Sequence, residues 1–257
     1  MNIFLVLPAF NEEASLPLLL ESWEKQSWRS PDFQIILVND GSSDGTARVA
    51  RDWSVRLPVE IVTHAQNRGL GETILDGLAR AAAMAQPQDA IVAMDADNTQ
   101  PLALIPRMVK GLEEGKDIVI ASRFQPGAKV LGLSPFRHFL TLCARVLYQA
   151  VLPVSGVRDY TCGFRAYRAG MLQHAFKRYG SSLVTERGFA CMAEILVKLA
   201  GLGAKVGEVP MVLRYDQKVG ASKMGVASTV QESLLLLLRH RREGKQVGAA
   251  RLSVSDP

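Results

Sequence analysis

At 257 residues, 48% of them hydrophobic, the chain can bury one large core and does not require a division into independent domains. Its 30 basic and 25 acidic residues leave a net charge of +5, which favours an anionic partner without saying which: nucleotide, phospholipid headgroup or nucleic acid. Cys143, Cys162 and Cys191 are widely spaced and odd in number, which disfavours a zinc site and reads as free thiols in a reducing compartment.

The first 125 residues alternate short β-rich runs with longer helical patterns, the signature of a parallel sheet with crossover helices. Strands are predicted at Ile3 to Leu7, Gln34 to Asn39, Val59 to Thr63, Ala90 to Met94 and Asp117 to Ala121. Helices are predicted between them, at Ala14 to Gln26, Asp44 to Val55, Leu70 to Ala85 and Leu102 to Glu114, with Ser43 or Asp44 capping the second. The second half reads as a Gly/Pro-rich loop (Gln125 to Pro135), a helix (Phe136 to Leu152), a turn and strand (Asp159 to Tyr167), a helix (Phe189 to Ala200), a strand (Glu208 to Tyr215) and a last helix from near Ser228. The N-terminus lacks a basic stretch and a cleavage signal, so it reads as a first strand in a cytoplasmic chain. Phe139 to Val154 and the leucine run Leu234 to Leu238 are the most apolar stretches. Both fall short of the ~18 to 20 residues of a spanning helix, and either packs in the core or rests on a bilayer surface beside basic neighbours.

Unusual polar residues collect where strands end. Met94-Asp95-Ala96-Asp97 follows an apolar run, and a strand there delivers both carboxylates to the edge where open α/β sheets bind ligands. Paired oxygen ligands suit Mg²⁺ or Mn²⁺ completed by phosphate oxygens, although turn chemistry alone also accounts for an Asp-x-Asp. Pro8-Ala9-Phe10-Asn11-Glu12 follows the first strand, Asn39-Asp40-Gly41-Ser42-Ser43-Asp44-Gly45-Thr46 the second, and Gln66-Asn67-Arg68-Gly69-Leu70-Gly71 the third. Asp40 is placed to accept hydrogen bonds from a nucleobase edge and a ribose hydroxyl, or to cap the following turn. Asn67 and Gly69 allow close backbone approach to a base or ribose. The glycine spacing of a dinucleotide fingerprint and the Gly-Lys-Ser/Thr of a phosphate loop are both absent, which excludes the common dehydrogenase and kinase patterns.

Together these four clusters resemble the inverting family 2 glycosyltransferases. Arg158-Asp159-Tyr160-Thr161-Cys162-Gly163-Phe164-Arg165, Gly207-Glu208-Val209-Pro210 and Gly220-Ala221-Ser222-Lys223 are similar to the dolichyl-phosphate mannose synthase branch and its bacterial polyprenyl-phosphate relatives. The resemblance runs from about Ile3 to about Met224. It implies a GT-A fold, an α/β architecture with a single mostly parallel central sheet flanked by helices. Residues 1–225 would form the transferase domain, with a nucleotide-binding half (1–125) and an acceptor half (126–225), followed by a C-terminal helix and basic tail (226–257).

The resemblance also implies roles. Asp95 and Asp97 hold Mg²⁺ or Mn²⁺ on the donor diphosphate. Pro8, Ala9, Asn11, Glu12, Asp40, Asn67, Gly69, Asp95 and Ala96 contact the nucleotide. Arg123 meets a substrate phosphate, and Ser222 and Lys223 belong to a closing loop; Arg214 and Lys218, which flank that loop, are placed with Arg137 and Ser222 to grip the acceptor or a phosphate, or else are solvated surface cations. Asp97, Arg123 and Lys223 are thereby the implied catalytic set. Thr99 and Gln100 depart from the branch, which commonly has Gln or Ser and then His there, and Met192 stands where Gln is frequent.

The implied reaction transfers a sugar from GDP-mannose or a UDP-sugar to a lipid phosphate at a membrane surface, reached directly or through a partner protein, with no nucleic-acid partner. A phosphate acceptor is already ionised near neutral pH and needs no general base, whereas a hydroxyl acceptor needs one. The Gln-x-x-Arg-Trp pattern of processive polysaccharide synthases is absent. For a hydroxyl acceptor, Asp159, Glu186 and Glu194 are the candidate bases. Two other classes compete: a nucleotidyltransferase, whose glycine-rich basic signature after the first strand is missing, and a catalytically silent nucleotide-sugar-binding subunit.

Overall fold

A computed structural model describes residues 1–26, 33–219 and 231–238. Seven strands form the central sheet in the order β3-β2-β1-β4-β7-β5-β8: β1 (Ile3–Ala9), β2 (Phe33–Asn39), β3 (Val59–Thr63), β4 (Ala90–Ala93), β5 (Ile118–Ser122), β7 (Arg165–Arg168) and β8 (Val206–Pro210). A two-stranded sheet pairs β6 (Lys129–Leu131) with β9 (Val212–Arg214). Crossover helices α1 (Leu16–Glu24), α2 (Thr46–Ser54), α3 (Leu70–Met84) and α4 (Ile105–Glu113) serve the first half. Helices α5 (Pro135–Val151), α6 (Ala169–Tyr179) and α7 (Cys191–Gly201) serve the second.

The core follows from the strand sequences. In β1, β2 and β4 the continuous Val, Ile and Leu runs are covered on both faces, as parallel sheets require, and Leu5, Val6, Leu7, Ile91 and Val92 are fully buried. Each such leucine, isoleucine or valine contributes roughly 1.5–3 kcal/mol relative to an exposed side chain. The pairings β1–β2, β1–β4 and β2–β3 are parallel, as is β5–β8. Only β7 runs antiparallel, between β4 and β5. The C-terminal ends of β1 to β5 and β8 therefore share one edge with the loop that precedes β7.

The five strands and four helices predicted for the first half are present with ends shifted by a residue or two. The prediction from Leu102 becomes a short 3₁₀ turn (Leu102–Leu104) leading into α4. The second half differs more. The strand predicted from Glu208 to Tyr215 is two strands in different sheets, because Met211 N–H makes a last bond to Ser122 O and the chain then leaves β5 to pair with β6. In the turn and strand predicted from Asp159 to Tyr167, the strand begins only at Arg165 and runs on to Arg168, while side-chain bonds to Asp159 hold the preceding residues in a loop. Helix α6 was not predicted: its buried positions, Ala169, Leu172 and Ala175, include two alanines and give a weak apolar stripe. Residues 231–238 are helical, while the predicted start near Ser228 and the basic tail lie outside the described residues.

Candidate active site

The first three loops at this edge are laced together. Asn11 N–H donates to Ser42 Oγ at 2.9 Å, Ser43 N–H to Asn11 Oδ1 at 2.8 Å, and Glu12 N–H to Thr46 Oγ1 at 2.7 Å. The N-cap of α2 is Gly45 rather than the expected Ser43 or Asp44, and Asp44, one residue earlier, accepts from Thr46 N–H at 2.9 Å. Asp40 is buried and gathers the third loop: its carboxylate accepts from Arg68 N–H at 2.8 Å and Gly69 N–H at 3.0 Å, and lies 2.7 Å from His64 Nδ1. The other ring nitrogen, His64 Nε2, lies 3.0 Å from Asp76 Oδ2. Gly41 (φ +65°) admits this packing, since a Cβ there would lie 2.4 Å from the Gln66 carbonyl carbon. Asp40 thus positions the Asn67 to Gly69 backbone whatever else it contacts, and Asn67 itself is exposed. Pro8 and Ala9 end β1 beneath these loops, and Glu12 is buried.

The Asp95 to Gln100 turn follows β4. Asn98 takes a left-handed conformation (φ +59°), tolerable for asparagine, and folds Thr99 back onto Asp97. Asp97 Oδ1 accepts from Thr99 Oγ1 at 2.7 Å and Thr99 N–H at 3.2 Å, and Oδ2 accepts from Lys218 Nζ at 2.6 Å. Gln100 is bonded to Asp95 twice, its Nε2 donating to Oδ2 at 2.7 Å and its Oε1 accepting from Asp95 N–H at 3.0 Å. Ala96 is buried between the two acids. Burial, with repulsion from Asp97 added, pushes the Asp95 carboxyl up to about 7. Burial would depress the Lys218 ammonium, but its bond to Asp97 outweighs this and its pKa lies above the ordinary lysine value.

These donors suit a hard cation: two carboxylates, a hydroxyl and a carboxamide, with a protein ammonium already drawn to one acid. Among the described residues no group of three or more His, Cys, Asp or Glu is arranged to hold a metal. A cation at Asp95 and Asp97 would take further oxygens from its ligand and water.

Opposite this turn stands a closed ion pair. Arg123, just past β5, donates through Nε to Asp159 Oδ2 at 2.8 Å, through Nη2 to Asp159 Oδ1 at 2.6 Å, and to Thr161 Oγ1 at 2.6 Å. Asp159 is fully buried and also accepts from the Arg123, Thr161 and Cys162 N–H groups. Burial would raise its pKa, but Arg123 dominates and holds it below the ordinary carboxylate value. Glu194 is similarly committed to Lys198, Thr185 and the Glu186 N–H, and its pKa is lowered against the effect of burial.

A cavity of about 260 Å³ joins these elements. Asp95, Thr99, Gln100, Arg123 and Arg137 belong to its polar lining, and Leu140, Ala144, Leu147, Phe189, Met192 and Leu234 to its apolar lining. Arg137 lies in the first turn of α5, whose N-cap Ser134 accepts its N–H. Arg214 borders the cavity without being among its lining residues: its guanidinium is paired with Asp216, and its N–H donates to Thr99 O at 3.0 Å. Ser222 and Lys223, expected in a closing loop, lie outside the described residues.

Sequence reasoning assigned no role to several organising residues. Arg165 is fully buried and donates to the carbonyls of Tyr160, Cys162 and Met192, tying the loop before β7 to α7. Glu208 accepts the N–H groups of Arg158 and Asp159 at 2.7 and 2.8 Å and so seats Asp159. Both stood inside recognised motifs, but their partners are distant in sequence. His64 carried no motif signal at all.

The sheet order and the reversed β7 are those of the GT-A fold. The same fold occurs in glucosyl-3-phosphoglycerate synthase from Mycobacterium tuberculosis, solved with Mn²⁺, uridine diphosphate and glucosyl-3-phosphoglycerate (TM-score 0.65, 22% identity, 93% of this chain and 79% of that one). Residues 4–176 match glycosyl transferase family 2, and the chain belongs to that family. It is 28% identical over 225 residues to dolichol-phosphate mannosyltransferase of Pyrococcus furiosus, covering 87% of this chain but 59% of that protein's length. It is also 28% identical over 231 residues to polyprenol monophosphomannose synthase of Mycolicibacterium smegmatis, covering 89% of this chain and 83% of the relative.

Proposed function

We propose that this chain is an inverting glycosyltransferase that moves a sugar from a nucleotide-sugar donor, GDP-mannose or a UDP-sugar, to a polyprenyl or dolichyl phosphate, with Mg²⁺ or Mn²⁺ as cofactor. The observation that carries this reading is the cavity between the Asp95 turn and α5, whose lining combines Arg123 and Arg137 with many apolar side chains. Such a space suits an amphipathic acceptor with an anionic head. The commitment of Asp159 and Glu194 to cationic partners supports it, since both acids have lowered pKa values and are poor bases. An acceptor phosphate, with its second pKa near 6, brings its own ionised nucleophile.

The relatives named above, a dolichol-phosphate and a polyprenol-phosphate enzyme, point the same way. The nucleotide would lie along the loops ending β1 to β3, with Pro8, Ala9, Asn11, Glu12, Asp40, Asn67, Gly69 and Ala96 shaping its bed. Asp95 and Asp97 would hold the cation, which supplies charge stabilisation to the departing diphosphate. Arg123, oriented by Asp159 and Thr161, would fix the acceptor phosphate together with Arg137. In-line attack by a phosphate oxygen then inverts the anomeric carbon.

Membrane contact belongs to the same proposal. No helix among the described residues is long and apolar enough to cross a membrane. Helix α5 nevertheless exposes Phe136, Phe139, Leu142 and Val146, and residues 231–238 expose Leu234, Leu235 and Leu238, with Arg137 and Arg145 nearby. We assign this surface to peripheral docking on the cytoplasmic membrane face. Co-sedimentation with anionic vesicles should fall for the Arg137→Glu, Arg145→Glu double variant, and undiminished binding overturns the docking.

The decisive assay is mass spectrometry of products formed from a panel of GDP- and UDP-sugars with polyprenyl phosphate and Mn²⁺, using Asp97→Ala as control. No glycosylated lipid phosphate with any donor would sink the proposal.

A further inference from the structure

Both oxygens of the Asp97 carboxylate have partners within the protein. Thr99 supplies both bonds to Oδ1, and Lys218 reaches Oδ2 at 2.6 Å from the segment just after β9. That segment lies over the acidic turn, since Arg214 N–H also donates to Thr99 O. The Lys218 and Asp97 side chains are only 16% and 10% exposed, so their attraction is poorly screened by water. A divalent cation bound by Asp97 sits about 2.0–2.2 Å from a carboxylate oxygen, and an ammonium held on the same carboxylate would repel it.

We propose that Lys218 is a resident counter-ion of Asp97 that a divalent cation must displace, so that this lysine sets the metal affinity of the site. The proposal rests on the metal role given to Asp95 and Asp97 above. Displaced from Asp97, the ammonium would need another anion, and the diphosphate that accompanies the cation would offer one. Lys218 therefore opposes metal binding in the nucleotide-free protein and ceases to oppose it once a nucleoside diphosphate is present. The cation and its nucleotide are thereby coupled, because each removes an obstacle to the other.

The test is Mn²⁺ binding followed by the electron paramagnetic resonance signal of the free ion, which needs no turnover. Wild type, Lys218→Met, Lys218→Arg and Asp97→Asn are compared without nucleotide and with GDP or UDP. Breaking one charge-assisted bond corresponds to about a tenfold change in affinity. Lys218→Met should bind Mn²⁺ about 10-fold more tightly than wild type without nucleotide, Lys218→Arg should stay close to wild type, and the advantage of the Met variant should vanish with nucleoside diphosphate. Equal or weaker Mn²⁺ binding by Lys218→Met than by wild type without nucleotide overturns the proposal. Failure of the underlying metal role reads differently: Mn²⁺ would then bind Asp97→Asn as it binds wild type, or bind neither under any condition.

Discussion

Two carboxylates at the same sheet edge, Asp97 and Asp159, each carry a cationic partner, yet the pairs are built for different ends. Asp159 is fully buried and takes two guanidinium bonds and three backbone N–H groups, while Glu208 holds its own N–H. Asp97 lies in a tight turn, and its cation is a single ammonium on a segment that crosses over the turn. The first pair is closed and fixes Arg123 as a rigid cation. The second is one bond from opening, which is what an exchangeable cation site requires. The difference lies in the number and origin of the partners, since both acids are largely buried.

Breaking each pair should separate stability from activity. The largest effect is expected for Asp159→Asn, which strands a buried guanidinium and should cost about 3–5 kcal/mol in urea unfolding. A loss under about 1 kcal/mol would erase the contrast with Asp97. The pH dependence follows from the lowered Asp159 pKa. Its contribution is fully present above the unfolded carboxylate value of about 3.9 and is lost as pH falls from there through the lowered folded value. The difference in stability between wild type and Asp159→Asn should therefore narrow below about pH 4.

Next comes Asp97→Asn, which should lower glycosyl transfer about 10²–10³-fold, the usual scale for removing one charge-stabilising group. Its unfolding free energy should change by only about 1 kcal/mol, because the asparagine keeps an acceptor for Thr99 and Lys218 can turn to water. Thr99→Val sharpens the comparison by freeing Asp97 from its hydroxyl partner, and should weaken Mn²⁺ binding about 10-fold in a titration. The smallest effect belongs to the exposed face of α5. Phe139→Ser should leave stability within about 0.5 kcal/mol by the same urea unfolding while reducing vesicle co-sedimentation.

Legibility in the sequence fell off where partners became distant along the chain. Strands β1 to β5 and their crossover helices were readable because a buried parallel strand is a continuous apolar run and a crossover helix has a 3.6-residue stripe. The Asp95 pair, Asp40 and Arg123 were readable as polar residues placed where strands stop. Helix α6 is hard to read because two of its three buried residues are alanines, whereas the change of sheet within the Glu208 to Tyr215 run has one local mark, Pro210, which cannot donate to a ladder and ends β8 just before Met211. Asp159, considered as a base, proved to be the orienting partner of Arg123, 36 residues away. Lys218 meets Asp97 across 121 residues, a pairing that no spacing rule contains.

The sequence by itself determined the parallel α/β framework, the edge at which polar loops gather and the chemistry those loops offer, because periodicity and residue type act over a few neighbours. Tertiary structure decided which partners, charged or neutral, hold each buried charge. Arg123 is held by Asp159, Asp97 by Lys218 and Thr99, and Arg165 by three carbonyls. These are properties of distance and burial, set when the reversed β7 and the segment after β9 bring the second half of the chain onto the strand ends of the first.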